Sequence, residues 1–221
     1  SQNTIIKKQT DTVEQWDIFE LKLNGPSSGN PFIDVSITAT FTSEDTTILT
    51  YGFYDGEGIY QIRFMPHEQG LWTYLTSSNS DELNNVRGEF TVIEPSEDNH
   101  GPVCVVDKFH FAYADGKRFF PVGTTLYCWH LERYKETLET LKNSGINKVR
   151  FMPFPHSGNK FPPFNPWQGS VNNWDFDKPN PEFWRFIENA VKDLSEIGVQ
   201  ADFIFFHPYE SGNRRTWGFG P

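Results

Sequence analysis

The sequence predicts a multi-domain β plus α/β protein, an N-terminal immunoglobulin-like β-sandwich followed by an α/β region, and three observations predict it. From Thr12 to about Glu94, apolar and polar residues alternate in short runs, the period-2 signature of half-buried strands. Past Pro95 the period becomes helical, with Leu131, Tyr134, Leu138 and Leu141 spaced three, four and three apart. Two segments, Leu141-x-x-x-Gly145-Ile146 and Leu194-x-x-x-Gly198-Val199, each join the end of a helical pattern to an apolar run. That alternation builds a parallel sheet.

Taken in order, strands are expected over residues 14–23, 32–42, 46–54, 58–65, 70–76 and 88–93. The separators carry turn chemistry. Asn24-Gly25-Pro26, Gly29-Asn30-Pro31, Asp55-Gly56-Glu57-Gly58 and the stretch from Pro66 to Gly70 supply fixed or positive φ. Strands at this spacing without helices between them fit a sandwich, with Trp16, Phe19, Tyr60, Phe64, Trp72 and Tyr74 filling its core. The polar stretch from Pro95 to Pro102 reads as a linker, so the domains are expected at residues 1–97 and 98–221. A hairpin should follow, formed by residues 103–106 and 109–113 with the Asp115-Gly116 turn.

The α/β region should open with a strand over residues 119–126, then a helix through Leu131 and Leu141 closed by Gly145 at C′, then a strand over 146–154. The second helix is better marked. Asn180 can cap it, Pro181 fits N1, and Phe183, Trp184, Ile187, Ala190, Val191, Leu194 and Ile197 line one broad face before Gly198. An apolar strand over 199–206 follows. This β-α-β-α-β order reads as the first part of a (β/α)8 TIM barrel, which takes about 250 residues when complete. Three strands and two helices leave it unfinished at Pro221, so a domain truncated after its third strand is expected, with self-association through the open edge.

Composition narrows the function classes. Of 221 residues 37% are hydrophobic and 16% aromatic, which excludes intrinsic disorder. A net charge of −10 with scattered Lys and Arg argues against nucleic acid or an anionic membrane as partner, since both demand clustered cations. No run approaches the roughly 18 apolar residues of a membrane helix. Cys104 and Cys128 are too few for a disulfide framework. Ser1 stands where Met would be, so the start is processed or engineered, and a secreted or periplasmic protein with its signal peptide removed fits. No Gly-rich phosphate loop, His-Glu-x-x-His helix or Gly-x-Ser-x-Gly elbow is present, and neither cofactor nor metal is expected.

In parallel α/β architectures the functional groups gather where strands end and loops begin. That rule selects Trp129 and His130 after the first strand, His156 after the second, and His207, Tyr209 and Trp217 after the third. Arg150 joins them because a charge inside an apolar strand must meet a partner, either substrate or a structural salt bridge. Aromatic, His and Arg side chains at one rim suit stacking on, and hydrogen bonding to, a sugar ring. Asp175 and Asp177 form an Asp-x-Asp pair better read as a solvated turn than as a cation site.

Several segments carry a family resemblance. Asn143-Ser-Gly-Ile-Asn-Lys-Val-Arg150-Phe-Met-Pro resembles the second-strand region of clan A retaining glycoside hydrolases, where an Arg at that place contacts the nucleophile. The stretch from Gly198 to His207-Pro208-Tyr209 resembles their third strand, which often ends in a sugar-binding His. Phe119-Phe-Pro-Val-Gly-Thr-Thr-Leu-Tyr-Cys-Trp129, Phe154-Pro155 and the run from His207 to Trp217-Gly218-Phe219 are similar to bacterial apiosidase-like glycosidases. In those proteins a β-sandwich precedes the barrel, and Trp16-Asp-Ile-Phe-Glu-Leu, Gly52-Phe-Tyr-Asp-Gly and Asn99-His-Gly-Pro102 resemble its sandwich and linker.

The resemblance implies retaining hydrolysis by two carboxylic acids about 5 to 5.5 Å apart. In clan A these follow the fourth and seventh strands, so no catalytic residue is assigned within this chain, and Trp129, His130, Arg150, His156, His207, Tyr209 and Trp217 are expected to bind carbohydrate. The expected function is the N-terminal portion of a retaining glycoside hydrolase acting on plant or other complex polysaccharide, inactive by itself. The alternative is a non-catalytic carbohydrate-binding or interaction module whose sandwich aromatics hold the ligand.

Overall fold

The structure, a computed structural model, describes residues 12–154, 165–170 and 173–205. It divides into two compact units, Ser1–Phe120 and Pro121–Pro221. The first contains β1 (Thr12–Glu14), β2 (Phe19–Asn24), the helical turn α1 (Pro31–Asp34), β3 (Ile37–Thr42), β4 (Thr47–Tyr54), β5 (Ile59–Phe64), β6 (Gly70–Ser78), β7 (Arg87–Ile93), β8 (Val103–Val106), β9 (His110–Tyr113) and β10 (Arg118–Phe119). Seven of these strands form one sheet in the order β1-β7-β6-β3-β4-β5-β2, antiparallel throughout except for the parallel β1–β7 pair.

Alternation decides which face is buried. Inward positions of β2, β3, β6 and β7 supply Phe19, Leu21, Phe41, Trp72 and Phe90 to a single core, while their neighbours in sequence are more exposed, and β5 adds Ile62 and Phe64 with Tyr60 and Gln61 buried beside them. Phe19 of β2 stacks on Phe90 of β7 with ring centroids 3.8 Å apart, although the two strands lie near opposite ends of the sheet order. The sheet therefore curls until its ends meet across the core. Gly52 makes the bend at β4 feasible, since a Cβ there would lie 2.8 Å from the Gln61 carbonyl and 2.7 Å from Ile62.

The chain leaving β7 is pinned beside β1. The Glu14 carboxylate accepts from the Ser96 amide, the Ser96 hydroxyl and the Asn99 side chain at 2.9–3.2 Å. These bonds, the Ser96 amide first, hold its pKa below the usual carboxylate range. Further on, β8, β9 and β10 form a small antiparallel sheet. His100 is fixed against its last turn by Asp115 Oδ2 at Nδ1, 2.8 Å, and by Lys117 Nζ at Nε2, 2.7 Å.

The second unit contains β11 (Gly123–Thr125), α2 (Trp129–Glu132), α3 (Tyr134–Lys142), β12 (Lys148–Phe151), β13 (Trp167–Ser170), β14 (Asn173–Pro179), α4 (Pro181–Glu196) and β15 (Gln200–Phe203). Strands β11, β12 and β15 pair in parallel, and Leu141, Ala190 and Leu194 from the helices close a core over Val149 and Phe151. Helix α4 begins as its sequence dictates. The Asn180 side chain accepts from the Glu182 amide at 3.2 Å and Pro181 occupies the first turn. It ends with Gly198 at φ +73°, where the amides of Gly198 and Val199 bond the carbonyls of Ser195 and Leu194. Asn180→Ala should cost about 1 kcal/mol, read as a lower urea midpoint in far-ultraviolet circular dichroism.

The fold class expected from sequence needs correction. In place of a two-sheet sandwich there is one nearly closed seven-stranded mixed sheet, because β4 pairs with β3 along one half and with β5 along the other. In place of the opening of a (β/α)8 barrel, the described residues are mostly β with four short helices, and no barrel pattern of alternating strands and helices is seen among them. The physical reason lies between β12 and α4. There the chain forms the antiparallel hairpin β13–β14, which takes Asp175 and Asp177 into a strand, and the parallel strands themselves are three or four residues long. Smaller differences are local. Residues 31–34 turn helically because Pro31 follows Asn30, whose carbonyl accepts from Ile33 and Asp34. The first expected helix breaks at Arg133 into α2 and α3, and α3 stops at Lys142 without help from Gly145.

Candidate functional site

Parallel pairing sets the C-terminal ends of β11, β12 and β15 side by side, with Thr125 next to Arg150 and Arg150 next to Asp202. Side-chain alternation then sorts the strands into two faces. Val149 and Phe151 face the helices; Lys148, Arg150 and Asp202 belong to the opposite face. There Arg150 donates from Nε and Nη2 to Asp202 Oδ2 at 3.1 and 2.9 Å, and Lys148 Nζ lies 3.8 Å from the same oxygen. The Arg150 side chain is 57% exposed, so the pair contributes at most about 1 kcal/mol. Its effect is positional: Asp202 holds the guanidinium against the sheet.

The loop after β11 runs beside the end of β12, with Leu126 N bonded to Arg150 O and Met152 N to Tyr127 O. It delivers Trp129 and His130 to the helix side. Trp129 is 5% exposed, its ring 5.1 Å from Tyr134 and 5.7 Å from Phe151, and its Nε1 has no partner among the described residues. His130 is 3% exposed, 5.3 Å from Phe151 and 5.9 Å from Phe186. Neither of its nitrogens makes a hydrogen bond among the described residues. Burial pushes its pKa down to about 4, because the charged imidazolium is poorly solvated there; the nearby Pro153 carbonyl pulls weakly the other way without completing a bond. Tyr134 is shifted upward, by burial first and then by donating to Asp193 Oδ2 at 2.7 Å.

Of the residues chosen from sequence, the structure brings Trp129 and His130 together and sets Arg150 on the other face of β12. His156, His207, Tyr209 and Trp217 lie outside the described residues. Sequence reasoning missed Asp202 and Lys148. The signal was available, since Lys148-x-Arg150 and Gln200-x-Asp202 occupy matching offsets in two parallel strands. It also missed an open cleft of about 380 Å³ between the loop after β11 and the α2–α3 corner, lined by Tyr127, Trp129, Glu132, Arg133 and Met152 among others. Among the described residues no group of three or more His, Cys, Asp or Glu gathers to hold a metal, and no helix is long and apolar enough to cross a membrane.

Comparison with known proteins adds an independent observation. Residues 12–79 match the family model described as a domain of unknown function, DUF5060. The chain is similar to the crystal structure of a "putative glycoside hydrolase" from Bacteroides vulgatus ATCC 8482, at 41% identity and a TM-score of 0.87, covering 95% of this chain and 43% of that one. It thus spans less than half the length of that protein. A Lin-41 filamin domain (11% identity, TM-score 0.33, 42% of this chain and 93% of that one) and a family 39 glycoside hydrolase from the gut symbiont Bacteroides cellulosilyticus WH2 (11%, 0.26, 95% and 35%) are too distant to bear on the fold. No curated protein matches the chain. The likeness to the Bacteroides vulgatus protein extends through both units of this chain.

Proposed function

We propose that this chain is a glycoside-hydrolase-related module and works as part of an enzyme that cleaves plant or other complex polysaccharide. The observation that carries this reading is the 41% identity over 95% of the chain to the Bacteroides vulgatus protein described as a "putative glycoside hydrolase". In this reading the reaction is a retaining hydrolysis. One carboxylic acid protonates the leaving oxygen, a second attacks the sugar carbon, and water then releases the glycosyl group, the two being about 5 to 5.5 Å apart. Both are placed outside residues 1–221. Within the chain, Arg150, held by Asp202 on the sheet face away from the helices, is the described residue positioned to meet substrate. Trp129 and His130 act from behind the strand ends by packing. His156, His207, Tyr209 and Trp217 are proposed as further sugar contacts.

The test is to assay the whole gene product and the 221-residue chain side by side on a panel of plant polysaccharides. Release of reducing sugar by the former and none by the latter is expected, with the anomeric configuration retained in proton NMR. Inversion would overturn the retaining mechanism. Hydrolysis by the 221-residue chain, abolished by changing one of its own carboxylates, would overturn the placement of the catalytic pair, and an inactive whole product would overturn the reading itself.

A further inference from the structure

The outward face of the seven-stranded sheet carries a groove that the reading above does not use. Alternation sends Thr40 and Thr42 of β3, Thr73 and Leu75 of β6, and Arg87 and Glu89 of β7 away from the core. Strand register aligns them in two rows, Leu49-Thr40-Leu75-Arg87 and Thr47-Thr42-Thr73-Glu89. Thr40, Thr42, Thr73, Leu75, Arg87 and Glu89, with Tyr74 and Gly88 between them, line an open groove of about 650 Å³. Among the described residues neither Arg87 nor Glu89 is engaged in an ion pair or a side-chain hydrogen bond. Two positions beyond Leu49 on the same face, Tyr51 is 76% exposed.

We propose that this groove binds an uncharged glycan. The ligand class rests on the carbohydrate reading above, but no residue of the second unit takes part. Charge complementarity selects a neutral chain: Arg87 and Glu89 cancel, so the groove has no net charge in a protein of net charge −10. A sugar offers hydroxyls that both donate and accept, and so can meet every polar group of the groove. Arg87 would donate to them, Glu89 accept from them, and the threonine hydroxyls do either. The Tyr51 ring offers a flat apolar surface to the C–H face of a pyranose.

Affinity gel electrophoresis of the 221-residue chain tests this, with hydroxyethylcellulose, galactomannan and arabinoxylan as neutral probes and polygalacturonate as the charged one. Retardation by at least one neutral probe is expected, weakened about tenfold or more by Tyr51→Ala and by the Arg87→Ala/Glu89→Ala double variant. The isosteric Thr40→Val/Thr73→Val variant, which leaves packing intact, should weaken it too. Retardation by polygalacturonate alone, no retardation by any neutral probe, or retardation that survives all these substitutions would each overturn the groove. Binding that survives them but is lost in Arg150→Ala also overturns the groove while leaving the reading of the second unit standing; that reading is judged separately by hydrolysis.

Discussion

Phe41→Ala should destabilise the first unit by about 3–5 kcal/mol. Phe41 is 0% exposed near the end of β3, at the middle of the aromatic core that the curled sheet encloses. Its ring stacks on Phe64 of β5 at 4.1 Å, meets Phe19 of β2 edge-on at 5.9 Å and approaches Phe90 of β7 at 6.3 Å. These neighbours sit on three strands, each held by its own pairing within the sheet, so they cannot close over the missing ring without breaking strand pairing. The cavity persists and its cost adds to the lost burial. Urea unfolding followed by the fluorescence of Trp72, which lies 5.0 Å from Phe64, reads the effect. A loss below about 1 kcal/mol would mean that the core collapses freely and that closure of the sheet is not rigid.

Acid should destabilise the second unit through His130. Its native pKa of about 4 lies below the ordinary 6.5, so the folded protein keeps the imidazole neutral while the unfolded chain protonates it. Between those values the unfolded state holds more protons. Stability therefore rises with pH across that window and is lost as pH falls through it, by about 3 kcal/mol in all, with no further change from this group on either side. Glu14, Glu20 and Asp115 in the first unit, all shifted below their ordinary values, give a slope of the same sign in acid. The difference between the parent and His130→Phe isolates the histidine. That variant also removes two buried nitrogens without hydrogen bonds, so it should be at least as stable at neutral pH and lose the parent's extra acid sensitivity. Equal acid slopes in the two proteins would show that the imidazole is solvated or paired.

What was legible in the sequence was local. The alternation over Thr47–Tyr54, the Asn180-Pro181 start and Gly198 end of α4, and the Asp55-Gly56 turn are fixed by backbone preferences within a few residues, and the structure has them. Partner choice was not legible. That β4 serves two neighbours, or that β1 joins β7 in parallel, depends on contacts between residues far apart in the chain. The same limit governs the site. Arg150 announced its need for a partner, yet Asp202 lies 52 residues away and is visible only once the register of β12 and β15 is known. His130, taken as a rim residue from its place after a strand, is carried inward because α2 begins at Trp129 and turns both side chains onto Phe151.

The parallel pairing of β1 with β7 also determines how the first unit bears mechanical load. Tension applied at the N-terminal end of β1 and at the C-terminal end of β7 pulls the two strands lengthwise past each other, since they run in the same direction. The bonds between Thr12–Glu14 and Thr91–Ile93 are then strained together in shear, with no end from which they can be unzipped one at a time. The Glu14 carboxylate, gripping Ser96 and Asn99 just past β7, adds its three bonds to the same clamp. A pulled chain must rupture this patch at once before the aromatic core beneath it begins to open.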